Sequence, residues 1–391
     1  MSRPVIANTL GPRAFFQHLS EIYENKEWKF EKRLGFGAFG FTALLRRKLS
    51  SGQPVQRMAL KFVVGTSQSR MDVLKDEIDM LKRVNGDSHI VSILASCTDI
   101  TQPEGNRRFS DNNLQTEASG VFEGFVGLVG PAVALEYLEY GDIMGLMNRI
   151  RQTERNVPNR VLWSLFYCCM YFKQAELSHV LYFNQFPITH RRRTRLTNTD
   201  APNAVIRASV GPAYPPHQPI GSNTDILEEL PSSRSPETET QYMLTVGDGP
   251  EHEIGVKARL IDLGLSQEYA DICNGSPVNI FHAALTICCL VTPNEGISNT
   301  TVIYQGLPTK AVNLVGTGDP PFPLPWLDPE LRDILARCMD KDAPQSPGLQ
   351  EALQVAQNAV HSKTAMSFPI SDMETESAVN SFVQEFVFNV P

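Results

Sequence analysis

Gly35-Phe36-Gly37-Ala38-Phe39-Gly40-Phe41-Thr42 is the stretch on which the reading of this chain turns. Three glycines in G-x-G-x-x-G order let a backbone fold closely over phosphate oxygens, because glycine accepts positive φ and carries no Cβ to stand in the way. Alone the pattern is weak, since two nucleotide-binding architectures use it. A dinucleotide fingerprint opens a helix directly after the glycines. Here β-formers follow, through Ala43-Leu44-Leu45, then a polar turn Ser50-Ser51-Gly52-Gln53-Pro54, then the apolar run Met58-Ala59-Leu60-Lys61-Phe62-Val63-Val64 with its lone lysine. That context predicts a loop between two strands and a third strand that carries Lys61 to the phosphates.

Working outward, 391 residues of which 42% are hydrophobic suffice for one large or two modest domains with a sizeable core. The formal charge of -8 argues against a nucleic-acid partner. Met1 to Gly11 has no signal-peptide pattern, and the most apolar segment, Val161 to Phe186, is interrupted by Lys173, Gln174, Glu176 and His179. The expectation is a soluble, cytoplasmic or nuclear protein with no membrane partner. The seven cysteines, including the pairs Cys168-Cys169 and Cys288-Cys289, show neither metal-ligand spacing nor a disulfide framework and read as buried thiols.

Along the chain, Phe15, Phe16, Leu19, Ile22 and Tyr23 stand at helical spacing before strands at 28–48 and 56–64. From Ser69, apolar residues Met71, Leu74, Ile78, Leu81 and Val84 recur at three and four, which predicts a helix bearing Glu77. Strands are expected at 90–97, 120–128 and 132–138, around a polar insert at 98–117. Gly141-Asp142 then caps a helix from Ile143. Further helices are expected from Val161, over 280–290, over 327–339 and over 349–360. Residues 379–390 read as a helix or strand packed on the rest. Pro250-Glu251-His252-Glu253 reads as a solvated turn.

The Gly-rich loop, the Met58-Ala59-Leu60-Lys61 strand and the stretch Ala134-Leu135-Glu136-Tyr137-Leu138-Glu139-Tyr140-Gly141-Asp142 resemble a eukaryotic-type protein kinase domain, of the Ser/Thr type. The resemblance implies an α+β, two-lobed protein-kinase-like fold with a β-rich small lobe, a mainly helical large lobe and ATP with Mg²⁺ between them. It implies a helical leader over 1–27, a small lobe over 28–140, a large lobe over 141–361 with an irregular insert at about 168–240, and a tail over 362–391. Lys61, held by Glu77, would meet the α- and β-phosphates. The loop Gly35, Phe36, Gly37, Ala38, Phe39 and Gly40 would cover the phosphates, with Thr42 and Ala59 beside the base. Leu135 would be the gatekeeper, backbone groups of Glu136 and Leu138 would bond the adenine edge, and Asp142 would reach the ribose. Ala258-Arg259-Leu260-Ile261-Asp262-Leu263-Gly264 is similar to the metal-binding motif, which makes Asp262 the expected magnesium ligand. Two other stretches, Ala213 to Pro219 and Pro250 to Glu253, are similar to a fungal group of such proteins.

The resemblance fails at the catalytic loop. An H-R-D-x-x-x-x-N segment is missing: His190-Arg191-Arg192 has arginine where the carboxylate belongs, and arginine accepts no proton at neutral pH. Counting back from Tyr242-Met243-Leu244 puts Gln241 at the asparagine and Pro236 at the aspartate, with Glu237 and Glu239 as weak substitutes. The interval 168–208 has no family pattern, and one alternative reads it as translated non-coding sequence from a faulty gene model that displaces part of a core helix. The expected function is therefore ATP-Mg binding with impaired phosphoryl transfer to protein Ser/Thr, the partner being a protein substrate. The alternative is a non-catalytic pseudokinase that scaffolds or regulates a partner kinase.

Overall fold

Phe41, Ala43 and Leu45, then Met58, Leu60 and Phe62, recur at every second position and give one face of a sheet to the core. The computed structural model describes residues 19–24, 26–37, 40–47, 55–64, 67–98, 125, 128, 130–183, 242–247, 252, 254–260, 272–293, 300–317, 323–340 and 346–389. Two compact units divide the chain, one of 1–139 with 260–267, the other of 140–259 with 268–391.

In the first unit, β1 (Trp28–Gly37), β2 (Gly40–Arg47), β3 (Gln56–Phe62), β4 (Ile93–Cys97) and β5 (Ala132–Glu136) form an antiparallel sheet in the order β1-β2-β3-β5-β4. Phe41, Ala43, Leu45, Met58, Leu60, Phe62, Ala132 and Ala134 pack one face into a core with Trp28, Phe125 and Leu128. A helical turn at residues 19–23 closes that core with Leu19 and Tyr23, both 1% exposed, so part of the amphipathic N-terminal pattern is seen at work. Helix α1 (Gln68–Arg83) buries Leu74, Glu77, Ile78 and Leu81 along one stripe. Leu260 belongs to this unit by pairing: its N–H donates to the His89 carbonyl at 3.0 Å and its carbonyl accepts from Val91 N–H at 3.0 Å.

Of the strand expected at 120–128 only Phe125 and Leu128 are described, with Leu128 N–H donating to the Phe125 carbonyl at 3.2 Å; the rest of that stretch lies outside the described residues. Gly130 takes φ +84, which a side-chain-bearing residue resists.

The second unit is mainly helical: α2 (Ile143–Thr153), α3 (Asn159–Phe183), α4 (Ile272–Val291), α5 (Val312–Val315), α6 (Pro329–Cys338), α7 (Leu349–Ser362) and α8 (Glu376–Val383). Two ribbons join them, β6 (Tyr242–Val246) with β7 (Val256–Leu260), and β8 (Val302–Tyr304) with β9 (Leu307–Thr309). The second turns on Gln305 and Gly306, both at positive φ. Residues 161–170 are buried all round, as are nearly all of 280–291, so α3 and α4 form the centre of the unit. Cys168 and Cys169, inside the interval that matched no family pattern, are 1% and 0% exposed and belong to that centre.

A long-range contact starts α3. Glu374, 1% exposed, accepts from the Asn159 and Arg160 backbone N–H groups at 2.6 and 3.0 Å and from Asn159 Nδ2 at 2.9 Å. A helix leaves its first N–H groups without intrahelical partners, and a carboxylate there also meets the favourable end of the helix dipole. Asp328 caps α6 through Glu330 N–H and accepts from Trp163 Nε1 and Lys363 Nζ, both at 2.7 Å. Burial lowers the Lys363 pKa, but its hydrogen bonds to Asp328 and Glu330 outweigh that and leave it raised. Among the described residues no helix is long and apolar enough to cross a membrane.

Glu374→Ala removes a charged cap and strands buried donors, so it should cost about 2–3 kcal/mol. The urea midpoint measures this, and an unchanged midpoint contradicts the capping role of Glu374.

Candidate functional site

Register gathers the candidate residues on the sheet face opposite the apolar core. Gly35 stands opposite Thr42, Thr42 opposite Lys61, and Lys61 opposite Val133. One pair along, Leu44 faces Ala59 and Ala59 faces Leu135. Directly opposed and alternate residues share a face, so Gly35, Thr42, Ala59, Lys61 and Leu135 stand together across four strands. Two irregularities in β1, between Phe30 and Lys32 and between Arg33 and Gly35, set Gly35 into this row.

Lys61 Nζ lies 2.7 Å from Glu77 Oε1 and 2.8 Å from Oε2. The lysine side chain is 13% exposed and the glutamate 0%. Glu77 lies in the apolar stripe of α1, whereas Asp76 and Asp79 on either side are exposed. A carboxylate in that stripe is tolerated only with a partner, since an unpaired buried charge costs several kcal/mol. The pair therefore ties the middle of β3 to the middle of α1 and holds the ammonium extended.

The glycines separate by cause. A Cβ on Gly40 would stand 2.7 Å from the Phe62 carbonyl oxygen, so the sheet itself demands glycine there. A Cβ on Gly35 would meet nothing within 4 Å, and its φ is not positive, so the protein makes no such demand. Phe36 and Gly37 continue β1 opposite Phe41 and Gly40. Ala38, Phe39, Glu237, Glu239 and Asp262 lie outside the described residues.

Leu135 is buried in β5 at 5% exposure. Glu136 is tied to the sheet twice, its N–H donating to the Ser92 carbonyl at 3.0 Å and its carboxylate accepting from Ser92 N–H at 2.8 Å. Leu138 is buried, and its N–H and carbonyl make no hydrogen bond among the described residues. Burial raises the pKa of the Tyr137 phenol between them. In the second unit Asp142 caps α2, its Oδ1 accepting from Gly145 N–H at 2.6 Å.

The expected solvated turn at His252 is corrected: the ring is 2% exposed, its Nδ1 is 3.9 Å from Cys168 Sγ, and a Cβ on Gly247 would stand 2.4 Å from the His252 Cβ. The neighbouring glutamates suggested solvent, but a glycine five residues earlier gives the imidazole its space. Cys288, Cys289 and Cys338 are buried thiols; burial raises all three pKa values, that of Cys289 to about 11. Sequence reasoning missed the long-range partners Glu374 and Phe386, which have no local signal.

Two stability predictions follow from these contacts. Lys61→Met leaves the buried Glu77 without its cation and should cost about 3–5 kcal/mol, most of it recovered in the double variant Lys61→Met/Glu77→Leu. A double-mutant cycle by denaturation reads this directly, and additive losses contradict it. Gly40→Ala should lower the midpoint clearly while Gly35→Ala leaves it nearly unchanged; equal effects would show that Gly40 is not fixed by the Phe62 carbonyl. Compared with protein-family models and with curated proteins, the chain matches none.

Proposed function

We propose that the chain is a protein-kinase-like, two-lobed protein that binds ATP with Mg²⁺ and is impaired in phosphoryl transfer to protein Ser/Thr. The observation that carries the reading is the buried Lys61–Glu77 pair joining the third strand to the following helix. In this fold such a pair holds the lysine against the α- and β-phosphates. The sheet order β1-β2-β3-β5-β4 and the helical character of the second unit support the same reading.

The residues fit the ligand. Gly35 lacks a Cβ on an open face of the sheet, where a phosphate chain needs close approach of backbone N–H groups. Lys61 supplies a fixed cation in the same row, and Thr42, Ala59 and Leu135 give that face a small and apolar surface for a base. The Leu138 main chain, with no hydrogen bond among the described residues, offers a donor and an acceptor. Asp262, in the same unit by sequence, would hold the metal. Bound ATP-Mg²⁺ would supply an electrophilic γ-phosphoryl group; the chain's own part is to hold the charge and exclude water.

Missing from the sequence is the carboxylate that accepts the substrate hydroxyl proton. Loss of a general base lowers a rate by roughly 10²–10⁴-fold. That same loss favours a second reading, in which nucleotide is bound without turnover and the protein scaffolds or regulates a partner kinase.

Thermal unfolding of the full chain with and without ATP-Mg²⁺ tests the reading. A ligand at one hundred times its Kd adds about 2.7 kcal/mol to apparent stability. The shift should be present in the wild type and lost in Lys61→Ala and Asp262→Ala, each compared with its own nucleotide-free transition. A wild-type transition indifferent to ATP-Mg²⁺ sinks nucleotide binding. A shift with no detectable phosphate transfer selects the second reading.

A further inference from the structure

The first turns of α3, the turn before β7 and the end of α7, all in the second unit, enclose a pocket of about 20 Å³. Trp163, Ile254, Ala359 and Phe368 wall it with buried apolar surface, and its charged lining is Arg160 and Lys363.

The two cations stand differently. Lys363 Nζ is fully engaged: it donates to Asp328 Oδ2 at 2.7 Å, lies 2.9 Å from Glu330 Oε2, and sits 5.8 and 5.6 Å from the centroids of the Trp163 and Phe368 rings. Arg160 is half-buried, and its Nη1 donates to the Glu374 main-chain carbonyl at a long 3.4 Å. Its guanidinium forms no ion pair among the described residues. The Glu374 carboxylate is spent on the Asn159 and Arg160 backbone N–H groups and on Asn159 Nδ2. Most of the five guanidinium donors therefore stay open, in a planar fork that matches a carboxylate.

Size and surroundings narrow the ligand. A pocket of this volume has room for about one water-sized group, so the tip of a carboxylate enters, whereas a phosphoryl group or an aromatic ring does not. Met366 and Ile370, two residues to either side of Phe368, are 83% and 43% exposed. Exposed methionine adapts to apolar partners of varied shape.

We propose that this pocket docks an acidic side chain of a partner polypeptide, with Arg160 taking the carboxylate and Met366 and Ile370 receiving the apolar residues next to it. Charge complementarity selects this partner: the pocket lining carries no negative side chain, and Asp328 with Glu330 already balances Lys363, which leaves the charge of Arg160. The site lies wholly within the second unit and needs no nucleotide, so it goes beyond the ATP-Mg²⁺ reading.

Fluorescence polarisation of the full chain with a labelled, end-capped peptide Ala-Leu-Glu-Leu-Ala-Leu tests the proposal against the same peptide with Gln in place of Glu. A bidentate pair in a partly desolvated pocket should favour the glutamate peptide by about tenfold. Arg160→Gln should bring that ratio to about one, and Arg160→Lys, which keeps the charge without the fork, should leave it in between. If Arg160→Gln does not fold, Arg160→Lys decides, and an undiminished ratio there overturns the role of Arg160. Met366→Ser should weaken both peptides alike, and unchanged affinities overturn the apolar part of the surface. Lys61→Ala should alter neither peptide, which keeps this result separate from nucleotide binding. A wild-type ratio of one, a ratio that survives Arg160→Gln, or no binding of either peptide at about millimolar concentration overturns the proposal. So does a phosphoserine peptide that binds more tightly than the glutamate peptide.

Discussion

A carboxylate with no solvent exposure and an ammonium with little make a constraint that acts on backbone as well as side chains. Glu77 can stay in the apolar stripe of α1 only while Lys61 reaches it, and Lys61 reaches it only from its place in the register of β3. Helix and sheet are thereby fixed in rotation and in translation relative to one another within the first unit. An aliphatic pair of similar volume would hold the two elements as firmly and often more so, because the desolvation of two charges is avoided. Retaining a costly ion pair at this point therefore argues for a use of the charge, and an extended ammonium on the face of the sheet away from the core suits a polyanionic ligand.

The rest of the candidate face follows from alternation. Every second residue of β2, β3 and β5 packs into one core, while Leu44, Val133 and Leu135, which alternate with them, are buried on the other face beside Thr42, Ala59 and Lys61. Within that division the glycines take different causes: Gly40 is fixed by the Phe62 carbonyl, while nothing in the protein accounts for Gly35. A G-x-G-x-x-G motif is thus not a single functional object. Part of it is sheet sterics, and the sheet makes no such demand at Gly35.

Much of the first unit was legible because local signals and tertiary demands coincide there. A lone lysine closing an apolar strand and a helical stripe that includes a glutamate are both readable from spacing. The place of Gly35 in the row of Thr42 and Lys61 was not, since it depends on two irregularities in β1 that leave no mark in composition. His252 was misread because its flanking glutamates suggested water, while its burial is decided by Cys168 and by the space at Gly247, neither of them a neighbour in the usual window.

The second unit was less legible for a reason that concerns helix ends. Spacing predicts where a helix begins, and side chains close in sequence usually satisfy its first N–H groups. In α3 that work falls to Glu374, 215 residues away, and the Arg149 Nε finds its acceptor in a carbonyl 237 residues away. Both partners come from the last thirty residues, a stretch that carries no motif and reads as a mere tail. Yet a carboxylate buried to 1% exposure and a π-helical turn whose Phe386 and Val387 are 2% and 0% exposed are core features by any physical measure. The C-terminal segment completes the second unit by supplying polar atoms that its helices cannot supply to themselves, so the unit's boundary is set by hydrogen-bond satisfaction and not by the end of the recognisable pattern.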